Sequence, residues 1–133
     1  MRSILPVILS AAAVITMSSP VIASETRVVA ANRPSTIAFY FTFSGETCYS
    51  GAKPKFNVTS GPTHGSVTSA WRGVRVGKEA GRCAGKSVHG TQVIYNPAPG
   101  YHGTDKVSFV FSEGEGNDYF VRPKEFTVNI TVK

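Results

Sequence analysis

Phe126-Thr127-Val128-Asn129-Ile130-Thr131-Val132 alternates an apolar residue with a polar one along its whole length. A period of two puts Phe126, Val128, Ile130 and Val132 on one face of a strand and Thr127, Asn129 and Thr131 on the other. The same reading holds upstream, where Val107, Phe109 and Phe111 alternate with Ser108, Val110 and Ser112. In Ile37-Ala38-Phe39-Tyr40-Phe41-Thr42-Phe43 it predicts Ile37, Phe39, Phe41 and Phe43 on one face and Ala38, Tyr40 and Thr42 on the other. β-Branched and aromatic residues dominate these stretches, as a half-buried pleated surface favours. Shorter strand candidates are 26–31, 55–60, 66–71, 74–77, 88–96 and 119–121, and no stretch after residue 23 holds a sustained helical period. Turn residues separate them: Gly61-Pro62, Asn96-Pro97-Ala98-Pro99-Gly100 and Gly114-Glu115-Gly116-Asn117. Short strands between such turns predict an all-β antiparallel sandwich of about seven to nine strands. The phenylalanine rows are expected to face each other across its two sheets.

Composition bounds what such a sandwich can be. The chain has 133 residues with 41% hydrophobic and 17% charged, which excludes a disordered tail and a bilayer-spanning bundle. Residues 1–23 have the form of a signal peptide: Arg2, an apolar run from Ile4 to Met17, then Val21-Ile22-Ala23. That run is shorter than the roughly 20 residues of a membrane-crossing helix. Ser24 follows rather than a cysteine, so no lipid anchor is expected. The expectation is a secreted or periplasmic protein of one domain, 24–133, with no transmembrane span in its mature part.

Export gives Cys48 and Cys83, the only two cysteines, a reason to be joined. A zinc site needs about four ligands at set spacing, which this pair cannot supply. The formal net charge is +6 and the sequence pI about 9.6. An exported basic protein is drawn to anionic surfaces such as lipopolysaccharide, acidic glycans or wall polymers. The expected partner is a protein or such an envelope polymer or glycan, and nucleic acid is not expected. Arg72, Arg75, Lys78, Arg82 and Lys86 form the one concentration of cations. Gly73, Gly77, Gly81 and Gly85 lie among them and disfavour a helix, so this region reads as a hairpin and loop.

Three further stretches carry a resemblance. Pro62-Thr63-His64-Gly65-Ser66-Val67 has the form P-x-H-G-x-V, and Tyr95-Asn96-Pro97 the form Y-x-P. Gly100-Tyr101-His102-Gly103-Thr104-Asp105-Lys106-Val107-Ser108-Phe109 has the form G-[FY]-x-G-x-D-x-[FV]-x-[FY]. In this order they resemble the bacterial cadherin-like and immunoglobulin-like modules of secreted and surface proteins, here in a single copy. The resemblance implies a β-sandwich that binds a partner or serves a structural role. The residues themselves also suggest structural work: Gly65, Gly100 and Gly103 suit tight turns, and Asp105 can accept from nearby backbone N–H groups and pin a turn. Tyr95 and Tyr101 are expected over the sandwich edge.

Chemistry is sparsely signalled. His64, His89 and His102 each precede glycine, and no G-x-S-x-G elbow is present. Asp105 with Glu113 or Glu125 could be named as a carboxylate pair, but nothing marks them out. No catalytic role, cofactor or metal is expected. Glu113, Glu115 and Asp118 could hold calcium only weakly and read as a solvated hairpin tip. Asn57 and Asn129, each in a glycosylation sequon, read as outward-facing strand polars. Trp71, the only tryptophan, is either a cap on the core, the preferred reading, or a sugar-stacking platform with Tyr101. The expected function is partner recognition through 46–54, 72–92 and 113–118, with Arg72, Arg75, Arg82 and Lys86 attracting an anionic partner. A carbohydrate-binding or inhibitory module is the alternative, and a small metal-binding protein or hydrolase the third.

Overall fold

Burial in the computed structural model, which describes residues 24–112 and 124–133, follows the alternation along the last strands. Val93 and Tyr95, then Val107, Phe109 and Phe111, then Val128, Ile130 and Val132 are all 3% exposed or less. They build one core with Val29 and Ile37. The described residues form seven strands: β1 (Ser24–Val29), β2 (Ser35–Phe41), β3 (Lys55–Ser60), β4 (Gly65–Arg75), β5 (Ser87–Pro97), β6 (Gly103–Ser112) and β7 (Lys124–Val132). A short 3-10 segment, Lys78–Cys83, lies between β4 and β5. One sheet has the order β1-β7-β6-β3 and the other β2-β5-β4. The fold is therefore an all-β, two-sheet arrangement, as the alternation predicts.

One pairing is not antiparallel: β1 runs parallel to β7, from Ser24 beside Thr127 to Val29 beside Val132. Alternation specifies which face of a strand is buried and carries no direction, so the pairing had no signature in the sequence. The expected break at Gly73 is also absent. β4 continues through it to Arg75, paired with β5 throughout. The candidate strand 119–121 lies outside the described residues.

The phenylalanine row of β2 faces the other way from the expectation. The register with β5 slips between Thr36 and Ala38, which leaves Ile37 as an extra residue. A bulge of this kind reverses the facing of everything after it. Ile37 is 1% exposed, and beyond it Ala38 and Tyr40 pack on the main core. The Tyr40 ring stacks on Phe111 at 4.5 Å and meets Phe126 edge-on at 6.1 Å. Phe39, Phe41 and Phe43 instead line the far face of the sheet, with successive ring centroids 6.1 and 6.2 Å apart.

That far face ends in a second, smaller cluster of Val76, Cys83 and Val88, with Phe43, Cys48, Val74 and Ala80 around it. Cys48 and Cys83 form a disulfide with Cα atoms 5.4 Å apart, as expected from the sequence. It fastens the β2–β3 connection to the 3-10 segment across this cluster.

Three consequences can be measured by urea unfolding. Tyr40→Ala should cost about 3–5 kcal/mol, the ordinary range for deleting a core aromatic. Phe41→Ala, at 39% exposure on the far face, should cost about 1 kcal/mol or less. Replacing both cysteines by serine should cost about 4 kcal/mol, from the loop closed over a sequence separation of 35.

Candidate functional site

The strand directions sort the connections to two ends. Residues 30–34, 61–64 and 98–102 lie at one end. Residues 42–54 and 76–86 lie at the other, where β6 stops at Ser112 and β7 starts at Lys124.

The first end is a polar clamp. Asp105, 8% exposed, begins the inward row of β6. Its carboxylate accepts from the backbone N–H of Thr63 and His64 at 2.9 Å each and of Lys106 at 2.8 Å. The Tyr95 hydroxyl donates to it at 2.7 Å. About four acceptor positions are what an ionised carboxylate has, so these donors occupy it. Tyr95 is fully buried rather than laid over the sandwich edge. Nearby, the rings of His64 and Tyr101 stack at 4.1 Å. Asn32 Oδ1 accepts from Gly100 N–H at 2.8 Å, tying the first turn to the Gly100 turn, where φ is 76°.

Burial acts to raise the Asp105 pKa, but the bonds from Thr63, Tyr95, His64 and Lys106 together outweigh it and hold the carboxyl below its ordinary range. Burial first, then the Asp105 carboxylate, pushes the Tyr95 phenol up, so it stays protonated and donating. This site is structural chemistry, wider in reach than the single turn expected from the sequence.

The second end carries a groove of about 790 Å³ between β3 and β4, the edge strands of the two sheets. Lys53, Lys55 and Asn57 stand exposed along its β3 side, with Phe56 turned to the core between them. Trp71 borders it from β4, directly opposite Thr91 in register. The indole is half-buried, stacks on His89 at 5.8 Å and lies outside the main core, contrary to the preferred reading of it as a core cap. Thr91, 2% exposed, contributes to the lining, and its buried hydroxyl has no hydrogen-bond partner among the described residues. Among the described residues no carboxylate lines the groove.

The expected basic residues lie beside it but not on a loop. Arg72 and Arg75 are on β4. Arg72 faces away from the groove into a shallow depression with Gln92 and Thr36. Arg82 is on the 3-10 segment, and Lys86 just precedes β5. All four are exposed. Among the described residues neither they nor Lys53 and Lys55 form an ion pair, whereas Arg27 and Glu25 do at 2.7 Å. Tyr101 is not brought to Trp71. It belongs to the clamp end with Gly65, Gly100 and Gly103, and the six register steps from Gly65 to Trp71 span about 20 Å.

Lys53, Lys55, Phe56 and Thr91 were not singled out from the sequence. Thr91 alone had a signal, as the polar first member of the inward row Thr91, Val93, Tyr95. Among the described residues no group of three or more His, Cys, Asp or Glu side chains is placed to hold a metal ion. No described helix is long and apolar enough to cross a membrane. Glu113, Glu115 and Asp118 lie outside the described residues.

No family model and no curated protein matches the chain. Among solved structures, the solution structure of amebosin aligns with TM-score 0.46 and 14% identity, over 81% of this chain and 88% of that one. A likeness this loose carries no function across.

Asp105→Asn leaves an amide N–H₂ facing donors and should cost about 2–4 kcal/mol, read by urea unfolding at neutral pH. Because the folded pKa is depressed, the carboxylate's contribution is full above the unfolded value of about 4 and is lost as pH falls through the folded one. The wild type should therefore lose more stability than Asp105→Asn between pH 6 and pH 2, about two units either side of that unfolded value.

Proposed function

We propose that this chain is an exported, non-catalytic binding module of the cadherin- and immunoglobulin-like kind, which recognises an anionic partner in the cell envelope or outside the cell. The observation that carries the reading is the gathering of Lys53, Lys55, Arg75, Arg82 and Lys86 toward one end of the sandwich, exposed and unpaired among the described residues. Unpaired cations on one surface attract an anionic partner at long range and hold it by charge-assisted bonds. The Cys48–Cys83 bridge braces the same end and is the chemistry of an oxidising compartment. Asp105, the one buried carboxylate among the described residues, is occupied by structural donors, which supports a binding rather than a hydrolytic role.

Replacing Arg72, Arg75, Arg82 and Lys86 together by alanine should lower the salt concentration that elutes the protein from immobilised anionic envelope polymers. Its Tm should move little, since these side chains are exposed. An unchanged elution position would refute the role given to these four.

A further inference from the structure

We propose that the groove between β3 and β4 is the site for an acidic sugar chain, with the face of one sugar ring on Trp71 and its carboxylate toward Lys53 and Lys55. This rests on the binding-module reading and names its ligand.

Three properties of the lining point to that chemistry. The first is the indole. Trp71 sits on the inward face of β4, where the neighbouring inward residues of β5, Val93 and Tyr95, are fully buried. Yet it is only half-buried, it stacks on His89 and it borders open space. A large ring held at a groove wall offers a flat apolar surface with one polar edge, suited to the C–H face of a sugar. The second is the polar lining: Asn57, Ser69 and Ser112 supply hydroxyl and amide groups around the ring. Sugar hydroxyls both donate and accept, and such groups answer both. The third is charge. Among the described residues Lys53 and Lys55 have no ion pair, and no carboxylate lines the groove to repel an acid. A carboxylate on the ligand completes them.

Thr91 separates a ligand site from an idle surface. A buried hydroxyl without a partner is unfavourable, and a valine of the same shape would remove that cost. The hydroxyl has a use when a ligand that orders or displaces the indole opposite gives it a partner. An acidic peptide would answer the lysines, but it lacks the flat polyhydroxylated ring that the indole and the hydroxyl lining suit.

The test uses the single tryptophan as reporter. The full mature chain is titrated with an oligomer of galacturonic acid, a neutral glucose oligomer of equal length, and poly-glutamate of equal charge. The uronate should change the Trp71 emission, while the neutral oligomer binds at least about tenfold more weakly. Lys53→Ala with Lys55→Ala should weaken uronate binding by about tenfold at unchanged Tm. Trp71→Ala, followed by calorimetry, should abolish it. Thr91→Val should raise Tm and weaken uronate binding together, an opposition that a purely structural threonine would not produce. Equal emission changes with poly-glutamate would overturn the sugar in favour of an acidic peptide. Uronate binding that leaves Trp71 emission unchanged and is lost only in the Arg72, Arg75, Arg82 and Lys86 variant would overturn the groove while sparing the binding-module reading. No uronate binding at all would also overturn the groove, and polymer elution would then judge the wider reading by itself.

Discussion

Three of the four hydrogen bonds that converge on Asp105 tie together parts of the molecule that no strand pairing connects. The carboxylate belongs to β6, in the four-stranded sheet, and the Tyr95 hydroxyl comes from β5, in the three-stranded one. The N–H groups of Thr63 and His64 come from the connection that carries the chain from β3 in the first sheet to β4 in the second. One buried side chain thus holds the two sheets and the crossing between them. Its charge is tolerable at 8% exposure because every bond it accepts is oriented at it, and a carboxylate without those donors would be strongly disfavoured there.

Fastening one end in this way leaves the other to a different device. The connections at 42–54 and 76–86 have no comparable buried polar centre among the described residues. They are held by the Cys48–Cys83 bridge and the small cluster of Val76, Cys83 and Val88 beneath it. The far-face row of Phe39, Phe41 and Phe43 feeds into that cluster and lies close over Gly90, where any side chain would strike Phe41 and the Tyr40 carbonyl at 2.8 Å. A small apolar patch and one covalent bond can hold loops in place without covering the cations they carry.

The features legible in the sequence are those set by neighbours along the chain. Period-two burial in β6 and β7 and the turns at Gly61-Pro62 and Gly100 could be read from local pattern, and the meeting of Cys48 and Cys83 from their being the only two cysteines. Ile37 shows where that reading stops. One extra residue against β5 turns the phenylalanines outward, and a bulge depends on the partner strand rather than on the bulged one. The parallel pairing of β1 with β7 is a matter of topology, on which alternation is silent. The groove was illegible for the same reason: Lys55 and Trp71 lie on edge strands of different sheets, and only the closing of the sandwich makes them neighbours. Asp105 was found in part, because its bond to Lys106 is local while those to Thr63 and His64 cross 42 and 41 residues.

Lysines on an edge strand have another use, since a free strand edge invites pairing with other chains and charged side chains oppose it. That would account for Lys55 on β3, and for Lys53 just before it, without any ligand. It does not account for what faces them. Edge protection asks nothing of the inward residues of β4 and β5, where an apolar side chain would lower the energy of the fold. At this place the chain instead has a partly buried indole at the groove wall and, opposite it, a buried hydroxyl with no partner among the described residues. Both features are unfavourable in an isolated sandwich, and both become favourable when a ring with hydroxyl groups lies against them. The lysines alone are compatible with either explanation. Trp71 and Thr91, adjacent in register and both facing the gap between the sheets, favour a ligand.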